Sequence, residues 1–245
     1  MIEWVFLDVG SVIYNDAPQT YAVFRHYFDA IRRVQPDYSF NQLLADREQL
    51  VRQQQIWVLH KIASRWLPKE EVDRLYWDLR EELLPKFDNV HLPMVGLAET
   101  LGDLRREYRL GVIANQPAEC RASLDRRGML ELFEIVGISE ELNLFKPDPE
   151  LYRWAIERSG VDPARAVMIG DRIDNDVLPA RSLGMRTILY RSDPRREWNP
   201  ADAEAQAFLQ SWERTPIFPV GDETNAPDEV AGAMAALPEL ICSMT

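Results

Sequence analysis

The chain predicts an α/β fold: a Rossmann-like parallel sheet with helices on both faces, plus a small α-helical bundle. Three observations lead there. After Pro93, short apolar runs alternate with helix-length segments, the pattern of right-handed crossovers between parallel strands. Polar residues follow the runs at their carboxyl ends, at Asp8, Asn115 and Asp171, with Lys146 after a further run. Between about 18 and 87 the spacing is helical and no strand is convincing.

Taken in order, residues 3–8 read as a buried strand, Trp4-Val5-Phe6-Leu7 closing on Asp8, with the turn Val9-Gly10-Ser11 after it. Tyr21, Phe24, Phe28 and Ile31 recur at helical spacing. Leu43, Leu44, Leu50, Val51, Trp57, Val58 and Ile62 predict one longer helical stripe opened by Ser39 as N-cap. Val72, Leu75, Tyr76, Leu79 and Leu83 predict a third, with Pro68 near its start. These stripes should pack as a bundle, with their Trp and Tyr residues in its core. A helix over 95–107 then leads to a strand at Leu110–Ala114, and Pro117 begins a helix ending at Gly128. Ile135–Ile138 is a strand, and Pro147 and Pro149 open a helix ending at Gly160. Val167–Ile169 is a strand, followed by a helix that Pro179 should kink or delay and that ends near Gly184. Arg186–Tyr190 is the next strand. Residues 191–226 show little periodicity, but Trp198, Trp212, Ile217 and Phe218 suggest that they lie on the body. Val230, Met234, Leu237 and Ile241 read as a short closing helix. The expected division is a core domain of 1–16 and 91–245 and a helical domain of 17–90.

With 245 residues the chain can bury a sizeable core, and 46% hydrophobic with 28% charged residues is ordinary for a globular protein. A net charge of −12 without a basic patch argues against a nucleic-acid partner. The Arg pairs are short and lie among acids, as on solvated helix faces. No stretch approaches a membrane span. The first strand starts almost at once, with no basic flank and too short an apolar run for a signal peptide. Two distant cysteines, Cys120 and Cys242, make no disulfide framework and fit a reducing compartment. The expectation is a cytoplasmic protein. Cys120 reads as a small buried hydrophobe rather than a reactive thiol.

An acid at a strand end can simply cap a turn, and a lysine before a helix is ordinarily on the surface. Four polar deliveries to one sheet edge are harder to explain that way, because open α/β folds place their chemistry there. Taken together, FLDVGSV, VIAN, KPDPELY and IGDRIDND resemble the haloacid dehalogenase-like hydrolase superfamily over roughly residues 3–190, including a helical cap inserted just after the first motif.

That resemblance implies an Asp8 nucleophile that forms an aspartyl-phosphate, with Lys146 and Asn115 as catalytic and substrate-binding partners. It implies Mg²⁺ held by Asp8, the Gly10 backbone carbonyl and Asp171, with Asp176 behind them, a donor set that suits a hard cation. Asp174 and Asn175 could assist the metal or cap the following helix. The implied substrate is a small phosphorylated metabolite, selected by the cap. There His26, Arg52, His60, Lys61 and Arg65 are candidates, each more ordinarily a solvated surface residue. The oligomeric state stays open.

Two positions depart from the family pattern. Gly10 stands where a second Asp usually protonates the leaving group, a contribution of about 10²–10⁴-fold. The expectation is weak activity on alkyl phosphates and better activity where the leaving group needs little help. Ala114 stands where a Ser or Thr hydroxyl usually meets the phosphate, worth about 1.5–3 kcal/mol if nothing replaces it. Two rival readings remain: a metal-independent 2-haloacid dehalogenase, and a catalytically weakened binding or regulatory protein. A dinucleotide-binding domain is set aside, because Val9-Gly10-Ser11 lacks the spaced glycines that cradle a pyrophosphate.

Overall fold

Buried apolar runs do assemble into one parallel sheet. The structure, a computed structural model, describes residues 1–215 and 226–244. It holds two compact units: Met1–Asn15, Leu92–Glu197 and the described residues from 226 onward form one, and Asp16–His91 with the described residues from Trp198 to 215 form the other.

In the first unit, strands β1 (Trp4–Leu7), β4 (Arg109–Ala114), β5 (Ile135–Ile138), β6 (Ala166–Gly170), β7 (Arg186–Tyr190) and β8 (Glu229–Ala231) form a six-stranded sheet of order β5-β4-β1-β6-β7-β8. Every pairing is parallel. All four residues of β1 are buried, so both of its faces are covered. Leu7 sits opposite Val112 of β4 and Ile169 of β6. The chain fills one side of β1 with β4 and β5, then returns to the other side with β6 to β8. The strand order therefore reverses at β1, and the crevice at its carboxyl end is where such folds bind ligands. A two-residue antiparallel ribbon, β2 (Tyr14–Asn15) with β3 (Leu92–Pro93), flanks the excursion into the helical unit.

The second unit is helical. Helix α1 (Ala17–Val34) buries Phe24, Tyr27, Phe28 and Ile31. Helix α2 (Phe40–Arg52) is opened by Ser39 through a capping box. Gln42 N donates to Ser39 Oγ at 3.2 Å, and Ser39 N donates back to Gln42 Oε1 at 2.7 Å. The expected continuous stripe to Ile62 is broken after Arg52: Gln54 and Trp57 take left-handed φ of 57° each, and α3 (Val58–Ala63) starts afresh. Trp57 is 66% exposed rather than in the core. Helix α4 (Lys69–Leu83) begins directly after Pro68 and buries Val72, Leu75 and Leu79. Tyr76, at the edge of that face, is exposed, as is its neighbour Trp77. Helix α5 (Phe87–Val90) is a single turn.

Residues after Trp198 pack differently from expectation. Helix α11 (Ala203–Arg214) puts Phe208 and Leu209 into the same apolar cluster as Phe24, Phe28 and Phe40, with Trp198 and Trp212 against it. That segment thus belongs with the helices, whereas the sequence reading placed it with the α/β part. The expectation for Ile217 and Phe218 lies outside the described residues.

The remaining helices, α6 (Leu97–Glu107), α7 (Glu119–Arg126), α8 (Ser139–Leu142), α9 (Glu150–Ser159), α10 (Leu178–Ser182) and α12 (Leu237–Ser243), belong to the α/β unit. One reading is corrected at the end of the chain: Val230 lies in strand β8, exposed, and only the later residues of the closing stripe are helical. A four-residue step from Val230 to Met234 mimics helical spacing, but Val230 pairs with Leu189 of β7. No helix among the described residues is long and apolar enough to cross a membrane.

Candidate active site

Each polar residue singled out at a strand end reaches the carboxyl edge of the sheet. Asp8 follows β1 and is only 8% exposed. Its backbone N–H donates to Ile169 O at 2.9 Å, which ties it to β6, and its Oδ1 accepts from Val9 N at 2.8 Å. Gly10 is buried two residues on and forms a bridge with Tyr14.

Lys146 is buried, and its three ammonium hydrogens all have partners. Nζ stands 2.8 Å from Asp8 Oδ1, 2.6 Å from Asp176 Oδ1 and 3.2 Å from Ile113 O. Burial alone would pull its pKa down; the two carboxylates outweigh that and hold it above its ordinary value. Asn115 closes β4 and fastens the Lys146 backbone from both sides. Its Nδ2 donates to Lys146 O at 2.8 Å, and its Oδ1 accepts from Lys146 N at 2.8 Å. The Asn115 amide thus acts on Lys146.

Asp176 is fully buried. Besides Lys146, it accepts from Arg172 N at 3.0 Å. Burial raises its carboxyl pKa to about 6, with the Lys146 charge opposing and the Asp8 charge adding to that rise. Carboxylate oxygens of Asp8, Asp171 and Asp176 all lie within 4.8 Å of one another. Asp8 and Asp176 are buried, and Asp171 beside them is half-buried.

The segment bearing Asp176 is not a plain helix. Ile173–Val177 is a π-helical turn in which Arg172 O accepts from both Asp176 N at 2.9 Å and Val177 N at 3.2 Å. Helix α10 starts only at Leu178, with Pro179 in its first turn, so the late start expected from Pro179 is what the chain does. Asp174 pairs with Arg172, at 3.0 Å to Nε and 2.5 Å to an Nη, and the turn has no side-chain cap, contrary to the capping role considered for Asp174 and Asn175. Asn175 offers its carbonyl to the Tyr152 hydroxyl. Tyr152, within KPDPELY, is a residue that motif reading passed over; the hint was Pro179, which removes a helix donor nearby.

The helical-unit candidates are engaged locally. His60 meets the Tyr27 hydroxyl at 2.9 Å, Arg65 pairs with Asp46 at 2.7 Å, and Lys61 donates to Gln55 Oε1 at 2.5 Å. Arg52 contacts Glu48 at 3.5 Å and Thr215 Oγ1 at 3.4 Å, and His26 is partly buried on α1. Cys120 is a buried free thiol whose pKa is pushed up by burial and by the nearby Asp8 charge, which disfavours a reactive thiolate, as expected.

Comparison with known proteins gives a family and several relatives. A family model described as haloacid dehalogenase-like hydrolase matches residues 2–184. The chain is 27% identical over 121 residues to the pyrimidine 5'-nucleotidase YjjG of Escherichia coli, covering 49% of this chain and 54% of that one. It is 36% identical over 103 residues to a glyceraldehyde 3-phosphate phosphatase of Methanothermobacter thermautotrophicus, covering 41% and 46%. The chain spans about half the length of these curated relatives. A 2-haloacid dehalogenase structure from Pseudomonas syringae superposes with a TM-score of 0.58 at 22% identity over 100% of both chains, a likeness of fold alone.

Proposed function

The chain belongs to the haloacid dehalogenase-like hydrolases, and from that premise we propose that it is a Mg²⁺-dependent phosphatase of a small phosphorylated metabolite, with Asp8 as nucleophile. The observation that carries this reading is the convergence of Asp8, Asp171 and Asp176 within 4.8 Å beside the Lys146 ammonium. Phosphatase relatives point the same way.

The residues fit the cation. Three carboxylates are hard oxygen donors, and their oxygens converge within 4.8 Å of one another. Asp8, Asp171 and the Gly10 carbonyl would hold Mg²⁺. Asp176, whose two oxygens already accept from Lys146 and Arg172, would stand behind them. When bound, the ion supplies charge neutralisation between Asp8 and a phosphate dianion.

Asp8 would attack phosphorus through a carboxylate oxygen, and the P–O bond to the leaving group would break as the aspartyl-phosphate forms. Water then cleaves that acyl phosphate and restores the carboxylate. Lys146, still held by Asp176 and Ile113 O, would exchange its Asp8 contact for a phosphoryl oxygen as the Asp8 carboxylate turns to phosphorus. Asn115 would fasten Lys146 through one Nδ2 hydrogen and its Oδ1, and the second Nδ2 hydrogen would meet the phosphate where the hydroxyl is missing at Ala114. The helical unit would act as the cap that selects the substrate.

A panel of phosphorylated metabolites and p-nitrophenyl phosphate, assayed with Mg²⁺ and with chelator, tests the reading. Turnover should require the ion and vanish in Asp8→Asn. Gly10→Asp should raise turnover of alkyl phosphates by about 10²-fold or more while changing aryl phosphates less. An unchanged alkyl rate would count against the proposed role of this position. Gly10 favours a second reading, a metal-independent 2-haloacid dehalogenase, since that branch also lacks the second Asp. Chloride release from a 2-chloro acid in the presence of chelator would establish it in place of the first. Inertness toward both substrate classes would leave the binding-protein reading.

A further inference from the structure

Pro179 has no amide hydrogen, so the carbonyl four residues before it, that of Asn175, lacks its ordinary α-helical donor. The Tyr152 hydroxyl, coming from α9, donates to that carbonyl at 2.6 Å. Tyr152 is fully buried, and burial together with the Asp176 and Asp8 charges raises its pKa, so it remains a protonated donor. Asn175 immediately precedes Asp176 and lies inside the π-helical turn. Two fixed points thus bracket that turn: Arg172 O, which accepts from Asp176 N and Val177 N, and Asn175 O, held by Tyr152. The Asp176 carboxylate has little latitude, since it lies over Gly170 and meets Lys146 at 2.6 Å.

We propose that Tyr152 is a positioning residue for Asp176: its hydroxyl supplies the donor that Pro179 lacks and so sets the turn that delivers the Asp176 carboxylate to Lys146. The hydroxyl points at a backbone carbonyl, so it acts through Asp176 and Lys146. The effect on rate and ion affinity rests on the phosphatase reading; the hydrogen-bond exchange between Tyr152 and Pro179 does not.

Wild type, Tyr152→Phe, Pro179→Ala and the double variant decide the matter. Each is measured for thermal unfolding, for Mg²⁺ affinity by calorimetry, and for kcat and KM on p-nitrophenyl phosphate. Tyr152→Phe should lower kcat about tenfold or more, since small misplacements of reacting groups are costly, with KM changed less than about twofold and Mg²⁺ bound several-fold more weakly. Pro179→Ala alone should stay within about twofold of wild type in kcat, because Tyr152 still holds the carbonyl. In the double variant residue 179 regains an N–H for Asn175, and most of the lost kcat and ion affinity should return. Wild-type behaviour of Tyr152→Phe, or losses that persist in the double variant, would overturn the proposal. If wild type turns over no phosphoester and takes up no Mg²⁺, the phosphatase reading falls instead. The unfolding cycle then still decides the exchange: Tyr152→Phe must lower the midpoint less in the Pro179→Ala background, and equal losses in both backgrounds would refute it.

Discussion

At Gly170 one missing methyl determines where the Asp176 carboxylate sits. A Cβ built there would lie 2.2 Å from Asp176 Cγ and 2.3 Å from its Cβ. No rotamer change at the tip relieves a clash with Cβ and Cγ, so the turn itself would have to shift. Gly170→Ala should therefore cost about 1–3 kcal/mol of stability, as overpacked cores do, and should also break the Lys146 contact. Denaturant unfolding with parallel Mg²⁺ calorimetry checks both; a stable variant with unchanged ion affinity would contradict it. At this scale the sequence was most legible where a strand ended on a polar residue, as at Asp8, Asn115 and Asp171. It was least legible where the partner of a group is a backbone carbonyl, as for Tyr152 and for the Asn115 amide, since such pairings depend on how the chain folds back. Roles inferred for Gly10 and Ala114 are of another kind: they come from the resemblance, and kinetics must test them.

Among elements, α2 offers the clearest case of a local sequence signal with a local consequence. Ser39 and Gln42 satisfy one another's backbone N–H groups at its start. Ser39→Ala should cost about 0.5–2 kcal/mol, read as a shift in denaturant midpoint, and Gln42→Ala in the same background should add less than it does alone. The far end of α2 was not legible. Apolar spacing runs on through Trp57, Val58 and Ile62, but residues 54 and 57 adopt left-handed backbone and the stripe splits. Spacing of 3–4 residues records what a helix could bury, not whether the chain stays helical between the marked positions. The same ambiguity hid strand β8, where Val230 fitted a helical step. The parallel strands were plain because a strand buried on both faces reads as an unbroken apolar run.

For the molecule as a whole, alternation of strands and helices identified the α/β architecture. What it did not reveal was the return of α11 to the helical unit, for which Phe208 and Leu209 are the anchors. No composition shift marks that return; only the demand of an incomplete apolar core explains it. Phe208 is 2% exposed, and its ring lies 5.0 Å from that of Phe24 and 5.6 Å from that of Tyr21. Phe208→Ala should destabilise the fold by about 3–5 kcal/mol in chemical unfolding, the usual loss when a buried aromatic leaves a cavity. A cost below about 1 kcal/mol, typical of a surface change, would mean that α11 is dispensable to the cluster.

This return also constrains synthesis. The first helices emerge early, yet the segment that completes their apolar cluster is translated only after five of the six sheet strands. At about 5–20 residues per second, the nascent α1–α4 would wait on the order of ten seconds with Phe24 and Phe40 incompletely sheltered. A ribosome-bound chain stalled before α11 would then present sticky aromatic surface to chaperones, and release of the later segment would remove it.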